Sequence, residues 1–179
     1  MYSAIRLGTR TFTRNTAYVN LKESAQVLAN AITNEAKQAV TNSSLGSSGY
    51  LGVSPSIGPG GVLYPNENST GLTTNYIQFN EINGTNFDPT VSGFSRTNPE
   101  NYLKVRYYTL QGVVYREQIT YDSTGTVLQT TNDAFAQLDN GIIDISVSYV
   151  SKKEYELVIT VTKDGNSFTT RRTIYIFTV

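Results

Sequence analysis

The sequence predicts an α+β fold in which one long N-terminal helix packs on an antiparallel β-sheet. Apolar residues recur every three or four positions between Tyr18 and Val40, which is the spacing of an amphipathic helix. From Asn75 onward, tyrosine, threonine and β-branched residues alternate with polar ones, which is typical of half-buried strands. A chain of 179 residues suits one domain with a real hydrophobic core, and we treat residues 1–179 as a single unit.

The helix is predicted over residues 1–42. Its stripe toward the sheet forms the predicted core between helix and sheet: Tyr18, Leu21, Ala25, Leu28, Ile32 and Ala36. Proline is absent from residues 1–54, so nothing breaks the helix, and a helix over residues 2–40 would measure roughly 58 Å. Such a rod is longer than the domain, and we expect its weakly striped N-terminal half to stand clear of the sheet.

Residues 43–74 are predicted to be a variable loop, because glycine, serine, proline and asparagine dominate them without any period. A short strand around Val62–Tyr64 is the only regular element that we expect there. Loops of this length are commonly functional.

Residues 75–179 are predicted to form the sheet, as an antiparallel meander with one apolar face. "NYIQFNEI" is the first strand, and "NYLKVRYYT" and "VVYREQITYD" form a hairpin through "LQG". "GTVLQTT" adds a strand, "NDAFAQLDNG" connects, and "IIDISVSYV", "YELVITVTK" and "SFTTRRTIYIFTV" complete the meander. The helix is expected to cover the apolar face, with roughly 1.5–3 kcal/mol gained for each buried leucine or isoleucine.

The composition excludes several classes of function. Fourteen basic residues balance fourteen acidic ones, so no net field attracts nucleic acid, and we expect no nucleic-acid partner. The absence of cysteine and histidine excludes thiol chemistry, cysteine-ligated metals and Ser-His-Asp catalysis. We expect no enzyme activity, no catalytic residue, no cofactor and no metal. The sequence contains neither a run of about 20 apolar residues nor a signal peptide, so we expect the chain as given to be soluble.

Three groups of residues are candidate binding sites. Strand tyrosines could stack on a carbohydrate or a base, although sheets use tyrosine anyway: Tyr102, Tyr107, Tyr108, Tyr115, Tyr121, Tyr149, Tyr155 and Tyr175. Basic residues could track DNA, although solvated strand faces explain them better: Arg106, Arg116, Lys152, Lys153, Arg171 and Arg172. Asp139–Gly141 and Asp164–Asn166 offer oxygen ligands for calcium, but their spacing fits ordinary turns.

The order of long helix, Gly/Ser-rich loop and antiparallel sheet resembles type IV pilins and pseudopilins, especially minor subunits of the PilW and GspJ kind. "LKESAQVLANAITNEAKQAV" is similar to their helix just outside the membrane-inserted half. "NYIQFNEI" followed by "YLKVRYYTLQGVVYREQ" resembles their strand and hairpin, and the last three strands resemble their closing strands. The family's cleaved leader and apolar first helix half, with its glutamate, are missing from this sequence.

The resemblance implies the soluble part of a minor pilin or pseudopilin, a structural subunit that acts in filament assembly or initiation or at the filament tip. It implies other pilin or pseudopilin subunits as partners, membrane anchoring before assembly, and a place on the cell surface. Tyr2, Ile5 and Phe12, which the sheet is not expected to reach, are the predicted assembly face.

The sequence leaves three alternative functions. In a surface adhesin, the long loops 43–74 and 83–98 would contact a surface ligand. In a trimeric coiled-coil fibre, the helix stripe would keep a strict seven-residue repeat. The stripe follows a heptad from Tyr18 to Ile32 and then drifts. A glycosidase that uses carboxylates alone is the enzymatic alternative.

Overall fold

The computed structural model describes residues 2–39, 54–56, 73–74, 76–84, 98–151 and 154–175, with the backbone alone described for residues 2–17, 54–56, 73–74, 149 and 151. Helix α1 spans Tyr2–Ala36. The described strands are β1 (Ser54–Ser56), β2 (Thr73–Thr74), β3 (Tyr76–Ile82), β4 (Tyr102–Leu110), β5 (Val113–Tyr121), β6 (Val127–Ala136), β7 (Gly141–Ser151), β8 (Glu154–Lys163) and β9 (Asn166–Tyr175). A 3₁₀ turn at Pro99–Asn101 leads into β4.

The strands form two antiparallel sheets, one in the order β1-β3-β4-β5-β6 and the other in the order β2-β7-β8-β9. The predicted fold class, a pilin-like α+β arrangement of one long helix packed on one antiparallel sheet, is therefore wrong. The described residues are mostly strand, and the expected single meander divides between β6 and β7. The alternation of apolar and polar residues did not reveal this division, because a strand shows the same alternation whichever neighbour it pairs with.

Each sheet turns one apolar face inward. In the four-stranded sheet, Ile145 of β7 lies opposite Ile159 of β8, and Val147 lies opposite Leu157. All four side chains are at most 3% exposed. Directly opposed β-branched and aliphatic pairs of this kind stabilise antiparallel sheets.

The edge of β7 joins the two sheets. The backbone N–H of Ile143 donates to the carbonyl oxygen of Gly112, at the tip of the β4–β5 hairpin, over 2.9 Å. The N–H of Ile145 donates to Oγ1 of Thr109 over 3.1 Å. Two backbone donors of β7 are thereby satisfied by the five-stranded sheet, which fixes the relative position of the sheets at this end.

One core lies between the C-terminal half of α1 and the two sheets. Its members from α1 are Leu21, Ala25, Leu28, Ala29, Ile32 and Ala36; Ala39 follows the helix, and the strand members come from both sheets. The small alanines let the helix approach the strands closely, while Leu28 and Ile32 fill the space between them. The helix is thus part of a core shared by two sheets and does not cover a single one.

Several element boundaries differ from the predicted ones. Helix α1 ends at Ala36 in a turn, short of the expected residue 42. Strand β6 continues to Ala136, through a segment that was predicted to connect strands. The predicted loop 43–74 contains β1 and β2, which pair with β3 and β7. The strand expected around Val62–Tyr64 lies outside the described residues.

Candidate functional site

A charged cluster where α1 ends on the five-stranded sheet is the most distinctive polar feature of the described structure. Glu35 lies one residue before the end of α1, and Arg116 lies opposite Tyr107 in the β4–β5 ladder. Glu81 of β3 shares this face of the sheet, because it pairs with Leu103, two residues before Val105 of the core. Three strands and the helix therefore each contribute one side chain.

The guanidinium group of Arg116 holds the carboxylate of Glu35 at both oxygens. Its Nε lies 3.1 Å from Oε1 and 3.2 Å from Oε2, and its Nη2 also donates to Oε1. The hydroxyl of Tyr107 donates to Oε2 of Glu35. The side chains of Arg116 and Glu35 are 22% and 19% exposed, so the pair is largely withdrawn from solvent. A bidentate pair of this kind is directional and stronger than a surface contact.

The electrostatics of the cluster centre on Glu81. Burial, reinforced by the nearby Glu35 carboxylate and opposed by Arg116, raises the pKa of Glu81 to about 7. Its Oε1 atom is buried without a hydrogen-bond partner. Burial, together with the hydrogen bond to Glu35, also raises the pKa of Tyr107, and the bond to Glu35 raises the pKa of Arg116. The carboxylates of Glu35 and Glu81 thus share the guanidinium of Arg116, and Glu81 takes up a proton near neutral pH.

The arrangement of these side chains is suited to holding α1 on the five-stranded sheet. Charge is matched between Glu35 and Arg116, and the ring of Phe135 packs edge-on against Tyr107 with ring centroids 5.0 Å apart. The cluster offers two carboxylates, a guanidinium and a phenol. Among the described residues, no three His, Cys, Asp or Glu side chains come together as metal ligands would.

The strand tyrosines serve mainly as packing residues. Tyr102, Tyr107, Tyr121 and Tyr155 are buried. On the other face of the five-stranded sheet, Tyr108 and Tyr115 stack with centroids 5.5 Å apart, and Nδ2 of Asn132 donates to the Tyr108 hydroxyl over 2.7 Å. The side chain of Tyr149 lies outside the described ones, and Tyr175 is exposed at the end of β9.

The structure disperses the predicted basic stripe. Arg116 belongs to the cluster with Glu35, whereas Arg106 lies on the opposite face, 3.4 Å from Glu117. Arg171 pairs with Glu156 on the outer face of the second sheet, and Arg172 donates to Asn30 of α1 over 3.2 Å. Lys152 and Lys153 lie outside the described residues. The described basic residues therefore do not share one surface.

The two candidate calcium segments form tight turns. Asn140 and Asp164 adopt positive φ angles of 54° and 50°, and Gly165 follows with 74°. The Asp164–Gly165 pair closes the β8–β9 hairpin, as an Asp-Gly turn commonly does. Local turn geometry accounts for both segments.

The predicted core between helix and sheet includes residues that the structure buries: Leu21, Ala25, Leu28, Ile32 and Ala36. Tyr18 is 47% exposed and lies at the margin of the core, with its ring edge-on to Phe168. The prediction of Tyr18 as a core residue is wrong, because Tyr18 precedes the point at which the helix enters the core, about one turn before the buried Leu21. Tyr2, Ile5 and Phe12 lie on the helical backbone, and their side chains lie outside the described ones.

Sequence reasoning missed the ion pair of Glu35 and Arg116. A signal was present: Glu35 sits between Ile32 and Ala36, at the border of the core stripe, where a charge requires a partner. The choice among fourteen basic residues required the strand register.

No family model, curated protein or solved structure matches this chain. Within the described part of the chain, no helix combines the length and the apolar character that crossing a bilayer requires.

Proposed function

We propose that this chain is a structural subunit of a type IV pilus or related filament, a minor pilin or pseudopilin that acts in filament assembly or initiation or at the tip. The helix α1 is the assembly element, and the two sheets form the body that it carries. Membrane anchoring before assembly and a final place at the cell surface are parts of this proposal.

The observation that supports it most directly is an exposed apolar residue on the helix face that turns away from the sheets. Val19 is 47% exposed. At 100° per residue, it lies about 160–180° around the helix from the buried Leu21 and Leu28. An apolar side chain on the solvent side of a helix is suited to packing against another helix.

The same face continues toward the N-terminus. Phe12 and Ile5 precede Val19 by seven and fourteen residues, and each seven-residue step changes the direction by only about 20°. Helix α1 extends from Tyr18 back to Tyr2, which adds roughly 24 Å of helix. Tyr2 lies about 100° around the helix from Val19, at the margin of this face. The proposed assembly face is therefore Ile5, Phe12 and Val19 with Tyr2 beside them, and its partners are the helices of neighbouring subunits.

The exposure of Tyr18–Asn20 supports a division of α1 into two halves. The C-terminal half packs on the sheets, and the N-terminal half is the part proposed to contact neighbouring subunits. Three successive residues point in three directions, and all three are exposed. The helix is therefore solvated on these sides just before it enters the core at Leu21. The charged cluster, at the other end of the helix, acts structurally in this proposal, and the subunit performs no chemistry.

Site-specific cross-linking tests the proposal, because the chain contains no cysteine of its own. The variant Phe12→Cys is expressed in the cells that naturally produce the protein and is labelled with a cysteine-directed photo-cross-linker. We expect it to form covalent adducts with filament subunits, which mass spectrometry identifies. Ser24→Cys is the matched control, since Ser24 is exposed on α1 and lies about 140° from Val19.

The outcome distinguishes the proposal from its alternatives. Adducts at Phe12 and none at Ser24 support helix-mediated filament assembly. A coiled-coil fibre would be indicated if the variant at Phe12 formed adducts with two further copies of this chain and with no other protein, and if light scattering showed a concentration-independent trimer. Equal labelling at both positions, or none at Phe12, would contradict the assembly face.

A further inference from the structure

Within the described part of the chain, the outer edge of strand β6 is an open backbone edge. β6 is the last strand of the five-stranded sheet, and none of the described strands pairs with its far side. Eight of its ten side chains are exposed, including Val127 at 53%, Leu128 at 67% and Phe135 at 40%. An unpaired edge with exposed apolar side chains readily accepts another strand.

The edge strand of the other sheet differs. β9 carries Arg171 and Arg172, and charged side chains are a common device against edge pairing. Helix α1 also contacts β9, through Tyr18 on Phe168 and Asn30 on Arg172. β6 contains no proline, no glycine, no basic residue and a single acidic residue, Asp133. Among the described residues, the long edge formed by β9 is therefore protected and the long edge formed by β6 is not.

We propose that β6 is an interaction surface and that its partner is β6 of a second copy of this chain, added antiparallel so that two five-stranded sheets become one continuous sheet. The pattern of β6 is self-complementary. Its apolar residues lie at the two ends, Val127 and Leu128 at one and Ala134 to Ala136 at the other, with a polar centre. Antiparallel pairing of two copies brings each apolar end against the opposite apolar end.

Symmetry specifies the register. A two-fold axis between antiparallel strands places one residue directly opposite itself. With Thr131 on the axis, Leu128 faces Ala134 and Asp133 faces Gln129 of the second copy. With Asp133 on the axis, two carboxylates would face each other, which is unfavourable. The register centred on Thr131 pairs Val127 with Phe135 and Leu128 with Ala134, so it joins the large apolar residues at the two ends and keeps the Asp133 carboxylates apart.

Light scattering of the full chain over a range of concentrations tests the association. We expect a monomer–dimer equilibrium, and Thr130→Lys should raise the dissociation constant at least about tenfold, since the two new charges lie near the axis. Thr169→Lys is the matched control, because Thr169 is an exposed threonine on the edge strand β9. A chain that stays monomeric up to about 1 mM, or equal effects of both substitutions, would overturn the proposal.

Disulfide formation tests the register separately. Under mild oxidation, Thr131→Cys should give a covalent dimer, whereas Gln129→Cys and Asp133→Cys should cross-link only when mixed with each other. Thr169→Cys should remain uncross-linked. Circular dichroism of each variant verifies folding. Cross-linking of Gln129→Cys with itself, or none at Thr131 in a folded chain, would contradict the register.

Discussion

Glu35 at the end of α1 and Arg116 in the middle of β5 are 81 positions apart in sequence and form a bidentate ion pair in the fold. The pair connects the helix to the five-stranded sheet, while the apolar residues of the helix also reach β8 and β9. It orients the helix on the five-stranded sheet, and the hydrogen bond from Arg172 to Asn30 is the corresponding polar contact with the four-stranded sheet.

We predict that this pair stabilises the fold far more than a surface pair does. Glu35→Gln should lower the free energy of unfolding by about 2–3 kcal/mol, because it leaves Arg116 largely buried without its counter-charge. A double-mutant cycle with Arg116→Gln, measured by urea denaturation, should give a coupling of about 1–3 kcal/mol. Glu156→Gln is the control: Glu156 and Arg171 pair over 3.0 Å but are 38% and 64% exposed. That change should cost at most about 1 kcal/mol. Equal costs would show that burial of the first pair is unimportant.

We predict that stability falls as pH rises through neutrality. Burial raises the pKa of Glu81 to about 7 from an ordinary value of 4.5, so the folded chain holds a proton that the unfolded chain releases. The resulting stabilisation is complete at a pH below 4.5 and is lost as pH rises through 7. After allowance for partial solvent screening, the free energy of unfolding attributable to Glu81 should fall by about 1–2 kcal/mol between pH 5 and pH 8.

Glu81→Gln isolates this effect, since glutamine resembles the protonated acid and does not titrate. Urea denaturation at several pH values should show a flatter profile for Glu81→Gln, and the variant should be more stable than the wild type at pH 8. An unchanged pH profile in the variant would assign the effect to another group.

We predict that Leu28→Ala destabilises the fold by about 2–5 kcal/mol, because Leu28 is 3% exposed and its removal leaves a cavity between helix and sheets. The adjacent Val27 is 68% exposed, so Val27→Ala should change the free energy of unfolding by no more than about 0.5 kcal/mol. Thermal and urea denaturation of both variants provide the measurement. Similar losses from both would mean that the helix is not oriented as described.

We predict that Gly112→Ala costs about 1–3 kcal/mol in unfolding free energy. Gly112 has a φ of +77°, and an added Cβ would lie 3.1 Å from the Cα of Ile142. This contact lies where the β4–β5 hairpin meets β7. Gly84→Ala is the control, because Gly84 has open space around it and its φ lies outside the left-handed region. If the two substitutions have the same effect, the close approach at Gly112 is not a constraint.

Much of the secondary structure could be predicted from the sequence. The three- and four-residue spacing identified the buried helix positions from Leu21 to Ala36, and two-residue alternation identified β7 and β8. These patterns record which side of an element is apolar, and burial follows that side closely. The predicted strand ends at Thr131, whereas β6 continues to Ala136. Asn132 and Asp133 are polar and favour a connection in the sequence, but an exposed edge strand tolerates polar residues.

The division into two sheets could not be predicted, because it depends on pairing between distant strands. The contact of Ile143 with Gly112 crosses from one sheet to the other, and no local pattern specifies it. The charged cluster is equally non-local, since Glu35, Glu81 and Arg116 come from three separate segments. The weak stripe predicted from the sequence, Tyr2, Ile5 and Phe12, does not include Val19, because so few apolar positions define no clear face among threonines and arginines.

The attachment of α1 has a mechanical consequence. A tensile force applied along the axis of α1 would load the apolar contacts with β8 and β9 and the Glu35–Arg116 ion pair at the same time. Contacts that share a load in parallel must rupture together, so they withstand more tension than contacts that peel apart one after another. Two sheets attached to α1 in this way are well suited to withstanding tension that is transmitted through the helix.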